Sequence, residues 1–269
     1  MATTRKCDVS SGSKRTAISR SHTLVAAVVI VLLAGCAGNA KRETSPFADI
    51  ADSGLRLEAR PRADAKPCAP GEYELHVAQR RRTLMRVAPR RRGRPPALLL
   101  ALHGAGSGGA PGGLYAFRGA WNLPGLVIVA PAAAGTAWTL GETDVRFVDR
   151  ALQIALARCR VDPRRLAVGG FSSGAGMALW LGLANGDLFR GVIALSGGGS
   201  LPDQRVGKPR IFVAHGTRDR VIPISLGGDE IVRQLRSDGG YRMTYRRFDG
   251  GHRVIPAIAR AAVVATLVR

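Results

Sequence analysis

Five unbroken apolar runs, 97–102, 126–130, 166–169, 191–195 and 211–214, restrict the fold of this chain more than any other feature. A strand with one face in water alternates apolar and polar residues, so runs without that alternation belong to strands covered on both faces. Between them lie helical patterns. In 144–158, Val145, Val148, Leu152, Ala155 and Leu156 share one face, and further helices are expected over 173–184, 225–236 and 254–268. A hairpin of 73–79 with 83–88 precedes the first run, and a strand over 242–248 follows the last. Strands alternating with helices predict an α/β fold with a mainly parallel central sheet and helices on both faces. Ligands of such sheets sit beyond the carboxyl ends of the strands.

The chain of 269 residues accommodates one such domain, expected over 71–269. What precedes it reads differently. Lys14, Arg15 and Arg20 lead into an apolar stretch at 24–34 that is shorter than the ~20 residues of a spanning helix and suits a signal-peptide core. It ends in Leu33-Ala34-Gly35-Cys36, which resembles the bacterial lipobox. Residues 1–35 are therefore expected to be a lipoprotein signal peptide, with Cys36 lipidated and holding the mature chain to an extracytoplasmic membrane face. An ordinary secretory signal cleaved near Ala34 or Ala37 is the alternative. Residues 36–70, rich in Ala, Pro and charge without a sustained period, are expected to be a tether.

The formal charge is +21, from 40 Lys and Arg against 19 Asp and Glu. A field of that sign attracts anionic polymers and membrane surfaces. The local runs Arg80-Arg81-Arg82 and Arg90-Arg91-Arg92 flank the second hairpin strand without interleaved aromatics on which bases stack, so they read as a solvated edge and no nucleic-acid partner is expected. In an oxidising compartment Cys68 and Cys159 suggest one disulfide, with two separate thiols as the alternative. No C-x-x-C or H-E-x-x-H spacing occurs, and no metal is expected.

The chemistry centres on Gly170-Phe171-Ser172-Ser173-Gly174. This motif follows a buried run at once and precedes a helix, the context of a nucleophile elbow. Its glycines let strand and helix approach while the central serine takes a strained conformation. The partners appear in the order serine, acid, histidine: Asp219 lies just past the 211–214 run and His252 just past 242–248. His252 is placed to take the serine proton, and Asp219 to hold the imidazole. Asp249 and Asp203 are alternative acids. His76 falls in the early hairpin and reads as structural, while His103 and His215 end strands in His-Gly pairs, where loop-orienting hydrogen bonds are the usual role. An oxyanion hole requires two backbone N–H groups, expected from Ser173 and from Ala105 in the glycine-rich loop after 97–102. Gly104, Gly106 and Gly109 also fit G-x-G-x-x-G, but the next strand ends in Val129-Ala130-Pro131-Ala132 without the acidic residue a dinucleotide site needs. Trp121 and Trp138 are candidates for lining the substrate pocket or for packing the core.

The segments Leu100-Ala101-Leu102-His103-Gly104, Asp144-Val145-Arg146-Phe147-Val148 and Val161-Asp162-Pro163-Arg164-Arg165, with the elbow, resemble esterases of the poly(3-hydroxybutyrate) depolymerase-like and feruloyl esterase-like group. Residues 170–197 and 225–252 are also similar to the phospholipase/carboxylesterase group. The resemblance spans about residues 95–255 and implies an α/β-hydrolase fold and a catalytic triad of Ser172, Asp219 and His252. This sequence departs from the families at Ser173, where many relatives carry Ala, Asn or Gln, and in its glycine-rich 105–113 loop. The expected function is hydrolysis of a small or polymeric carboxylic ester through an acyl-serine, with no cofactor. Acyl transfer by the same triad, or a non-catalytic envelope-binding role on the same fold, are the alternatives.

Overall fold

The five apolar runs form the centre of an eight-stranded sheet in the computed structural model, which describes residues 56–78, 81–90 and 93–267, all within one compact unit, Thr44–Arg269. The expected signal peptide 1–35, Cys36, and Arg80, Arg91 and Arg92 lie outside the described residues. The strands are β1 (Gly71–Ala78), β2 (Arg81–Val87), β3 (Ala97–Leu102), β4 (Leu126–Pro131), β5 (Leu166–Phe171), β6 (Gly191–Leu195), β7 (Arg210–Gly216) and β8 (Met243–Phe248). Their order is β1-β2-β4-β3-β5-β6-β7-β8. The β1/β2 and β2/β4 pairs are antiparallel and all others parallel. The winding direction reverses at β3, so the connections after β3 and β5 lead off to opposite sides of the sheet, and their first residues meet at its carboxyl edge, where such folds carry their sites.

Period-two alternation divides the buried side chains between two cores. From β3, Leu98, Leu100 and Leu102 face one layer, with Ala97, Leu99 and Ala101 facing the other. The first layer is closed by α2 (Glu142–Arg158), α3 (Ser173–Ala184) and α4 (Gly228–Asp238). The second is closed by α1 (Ala110–Ala116), a 3-10 turn at Arg118–Ala120 and α5 (Pro256–Leu267). Both faces are covered, which is why the central runs contain no polar alternate residues.

Three features differ from expectation. α1 lies where only a glycine-rich loop was expected, because Pro111, Gly112 and Gly113 are poor helix formers. It is held by burying Leu114, with Phe117 just beyond it, against β3 and β4. Arg81 is not part of a solvated edge. Its guanidinium donates to Asp144 at 2.7 Å and lies 3.7 Å from the centre of the Phe147 ring. Asp144 is fully buried and also accepts from the backbone N–H groups of Ala134 and Thr139, which ties the 132–139 loop to the start of α2.

The expected tether does not run to residue 70. Residues 56–70 pack on the domain, with Leu57 and Ala59 buried. The N–H of Leu57 donates to Asn185 Oδ1 at 2.8 Å, and those of Glu58 and Ala59 donate to Asp149 Oδ1. The physical reason lies in α3, which is apolar on nearly all sides, from Ala175 through Ala184. A helix without a polar face needs cover away from the sheet as well as on it. The strap provides part of that cover, and the loop carrying Leu201 provides more. Cys68 at the strap's end is joined to Cys159 after α2, with Cα atoms 5.0 Å apart. Among the described residues no helix is long and apolar enough to cross a membrane.

Candidate active site

Ser172 occupies the turn between β5 and α3 with φ 55 and ψ −120, in the positive-φ region that side-chain-bearing residues rarely adopt. The neighbouring glycines make the turn possible. A Cβ on Gly170 would lie 2.1 Å from the Gly174 carbonyl oxygen, and one on Gly174 would lie 2.4 Å from that of His103. The serine N–H donates to Leu195 O at 3.0 Å, anchoring the elbow to β6. Its hydroxyl stands at the N-terminus of α3, where the helix dipole favours developing negative charge.

His252 follows β8 and places Nε2 2.9 Å from Ser172 Oγ, while its Nδ1 lies 2.7 Å from Asp219 Oδ2. A carboxylate only accepts, so Nδ1 carries the proton and Nε2 is free to accept from the serine hydroxyl. The Phe171 ring, 4.8 Å from the imidazole between centres, supports its other side.

The Asp219 side chain is wholly buried and well supplied with donors. Its Oδ1 accepts from the N–H groups of Val221 and Ile222, both at 2.9 Å. Oδ2 accepts from the Nδ1–H of His252 and lies 3.3 Å from His215 Nε2. His215 accepts the Gly228 N–H at Nδ1, so its proton sits on Nε2 and is shared between Ile222 O, at 2.9 Å, and the acid. The acid and histidine loops are also locked to each other. Arg218 N donates to Gly250 O, and Gly216 lies so close that a Cβ there would meet the Gly250 oxygen at 2.3 Å.

The alternative acids stand elsewhere. Asp249 is exposed and pairs with Arg218 at 2.9 Å, and Asp203 is exposed beyond β6. His76 is exposed on edge strand β1. His103 is buried and accepts the Ala133 N–H at Nε2 while donating from Nδ1 to Gly104 O, the loop-orienting role expected of it. Burial holds its pKa below the ordinary value.

The Gly104 loop runs alongside the elbow, so close to Phe171 that a Cβ on Gly104 would meet its ring at 2.7 Å. Gly106 N donates to Thr136 O and Ser107 N to Gly104 O, whereas among the described residues no hydrogen bond takes up the N–H of Ala105, which is exposed. The Ser173 hydroxyl is buried without a hydrogen-bond partner among the described residues. Neither tryptophan is free to line a pocket. Trp138 is buried with its indole N–H on His103 O, and Trp121 donates to Leu114 O against the second core.

Two supporting residues escaped the sequence reading. Phe171 fills a position that the G-x-S-x-G pattern leaves open. Ser196, at the end of β6, takes φ 48 and donates from Oγ to the carbonyl of Arg253, directly after the histidine. Nothing in the sequence around Ser196 signals that contact. No group of side chains that could hold a metal ion occurs among the described residues.

The sheet order, the strained serine at the strand–helix turn and the Ser–His–Asp hydrogen-bond chain define the class of the fold, that of the α/β-hydrolases. More particularly, the phospholipase/carboxylesterase family model matches residues 145–257, a span holding all three side chains, and the chain resembles that family. Solved structures share the fold. A ferulic acid esterase aligns at 20% identity with a TM-score of 0.56, over 73% of this chain and 97% of its own. The Staphylococcus aureus fluorophosphonate-binding serine hydrolase FphF aligns at 13% and 0.60, over 74% and 98%. Esterase PE8 aligns at 22% and 0.54, over 67% and 94%. Among proteins with curated functions none matches significantly in sequence.

Proposed function

We propose that the protein hydrolyses carboxylic esters through an acyl-Ser172 intermediate. The observation that carries this reading is the hydrogen-bond chain from Ser172 Oγ through His252 to Asp219, with links of 2.9 and 2.7 Å. His252 Nε2 removes the hydroxyl proton as Oγ attacks the ester carbonyl carbon. The oxygen then bears negative charge, which the N–H groups of Ala105 and Ser173 stabilise. Collapse of this intermediate breaks the carbon–oxygen bond, and His252 returns the proton to the departing alcohol. Water, deprotonated by the same nitrogen, attacks the acyl-serine and releases the carboxylic acid, restoring Ser172. Asp219 holds the imidazole in the required tautomer and balances its transient charge. The exposed apolar side chains of Val221 and Leu226, on the loop that follows Asp219, favour an ester with an apolar part beside the triad.

Stoichiometric labelling by a fluorophosphonate, absent in Ser172→Ala, is the expected result. Unlabelled wild-type protein that is folded overturns the reading. A series of p-nitrophenyl esters of increasing chain length, followed by feruloyl and hydroxybutyrate esters, then identifies the acyl group. The reading further assigns the protein to an extracytoplasmic membrane face, anchored by lipid on Cys36, on the strength of the charged, apolar and small-residue segments in 14–36. Cys36→Ser is expected to move the protein from the membrane to the soluble fraction, and an unchanged membrane fraction refutes the anchor.

A further inference from the structure

At the amino ends of the strands, the pole opposite Ser172, an arginine introduces each of four adjacent parallel strands. Arg165 precedes β5, Arg190 precedes β6, Arg210 opens β7 and Arg242 precedes β8. Their backbones are hydrogen-bonded in sequence across the sheet: Arg190 N donates to Leu166 O, Arg210 N to Arg190 O, and Ile211 N to Arg242 O. Neighbouring strands lie about 4.8 Å apart, so the four form a row of cations along one edge of the sheet. Arg94 (3.8 Å from Asp162), Arg164 and Lys208 flank the row around a cavity of about 580 Å³ whose lining among the described residues contains no carboxylate. Burial, followed by the charge of Arg94, lowers the pKa of Arg165. Like charges at this density repel, and a matching anionic surface relieves that repulsion.

We infer that this pole is a docking face for a membrane surface of anionic phospholipid headgroups. Two observations favour lipid over other polyanions. The chain enters the described fold at this same pole. Arg56, the first described residue, donates to Ala184 O at the end of α3 and to Asp187, three residues before Arg190. Bases, by contrast, find no aromatic ring among the described residues that line the cavity, and the nearby Tyr241 ring carries the Lys208 ammonium 4.2 Å from its centre. Docking by this pole turns Ser172, at the carboxyl ends of the strands, away from the lipid. The face therefore orients the site as well as holding the protein.

The test uses residues 44–269, the compact unit that contains both cores, the disulfide and the triad, and so has what a domain needs to fold alone. It is sedimented with phosphatidylcholine vesicles with and without phosphatidylglycerol, at low and high salt. Expected is binding that requires phosphatidylglycerol and weakens with salt. Combining Arg164→Gln, Arg190→Gln and Arg242→Gln is expected to reduce it about 100-fold, since each cation near an anionic surface contributes roughly five-fold. Combining Arg118→Gln, Arg146→Gln and Arg260→Gln, near the opposite pole, leaves most of the binding in place. Near-UV circular dichroism verifies that both variants are folded. Equal binding by the Arg164/Arg190/Arg242 variant and wild type, or no preference for phosphatidylglycerol, overturns the proposal. So does tight binding of a single-stranded oligonucleotide without vesicle binding.

Discussion

At the scale of single residues, Asp219 shows how a side chain is committed to one task by its surroundings. Two backbone N–H groups occupy one of its oxygens, and His252 with His215 flanks the other. Rotation of the carboxylate would break four contacts at once, so the imbalance between this acid and the exposed Asp249 or Asp203 is large. Asp219→Asn keeps the shape but replaces an acceptor with an amide. The amide can present its N–H to the imidazole, forcing the proton onto Nε2, where it blocks acceptance from Ser172. Ester turnover is expected to fall by about 10⁴-fold. Retained turnover would transfer the acid role to Asp203 or Asp249.

At the scale of elements, the strap over α3 determines how the first core is closed. It is held by three backbone bonds to Asn185 and Asp149 side chains, by burial of Leu57 and Ala59, and by the Cys68–Cys159 bond. That bond spans 91 residues of sequence, and closing so long a loop removes much of the freedom of the unfolded chain. Cys68→Ser is expected to lower unfolding stability by about 2–5 kcal/mol, measured by denaturant titration under oxidising conditions. Because Ser172 heads α3, the same variant should expose α3 to proteolysis before the sheet opens, visible as early cleavage within 56–68.

At the scale of the whole molecule, the charge distribution governs behaviour with pH. Glu230 has its pKa lowered to about 2, first by its bond from Arg233 and then by Gln234. Asp187 is lowered in the same direction, first by Arg56. The unfolded chain therefore binds protons on these carboxylates at a pH where the folded chain does not. Their contribution is complete above the ordinary carboxylate range and is lost as pH falls from about 4.5 toward 2. His103, whose pKa is lowered by burial, acts in the same sense from a higher starting point, because the unfolded imidazole takes up a proton first, from about 6.5 downward. Melting temperature is thus expected to decline in two stages, gently below pH 6.5 and steeply below 4.5. A stability that rises on acidification across that range would contradict these shifts. Glu230 is only half-buried, so its share should shrink with added salt.

The sequence by itself determined the layered α/β architecture, because runs such as Ala97–Leu102 are stable only when buried on both faces. It also determined the order in which serine, acid and histidine meet the same rim, since each follows a strand of a parallel sheet. Periodicity and strand–loop order are local properties and survive in one dimension. Tertiary structure alone decided what lies far apart in sequence: the hydrogen bonds that surround Asp219, the contacts of Ser196 and Phe171, and the burial of Arg81 on Asp144. It also decided that 56–70 covers α3 instead of tethering it, because an apolar run at 173–184 states that cover is needed without saying which segment supplies it. The helix at Ala110–Ala116 was hidden for the same reason. Its glycines argue against helix locally, and only the packing of Leu114 and Phe117 on the sheet outweighs them.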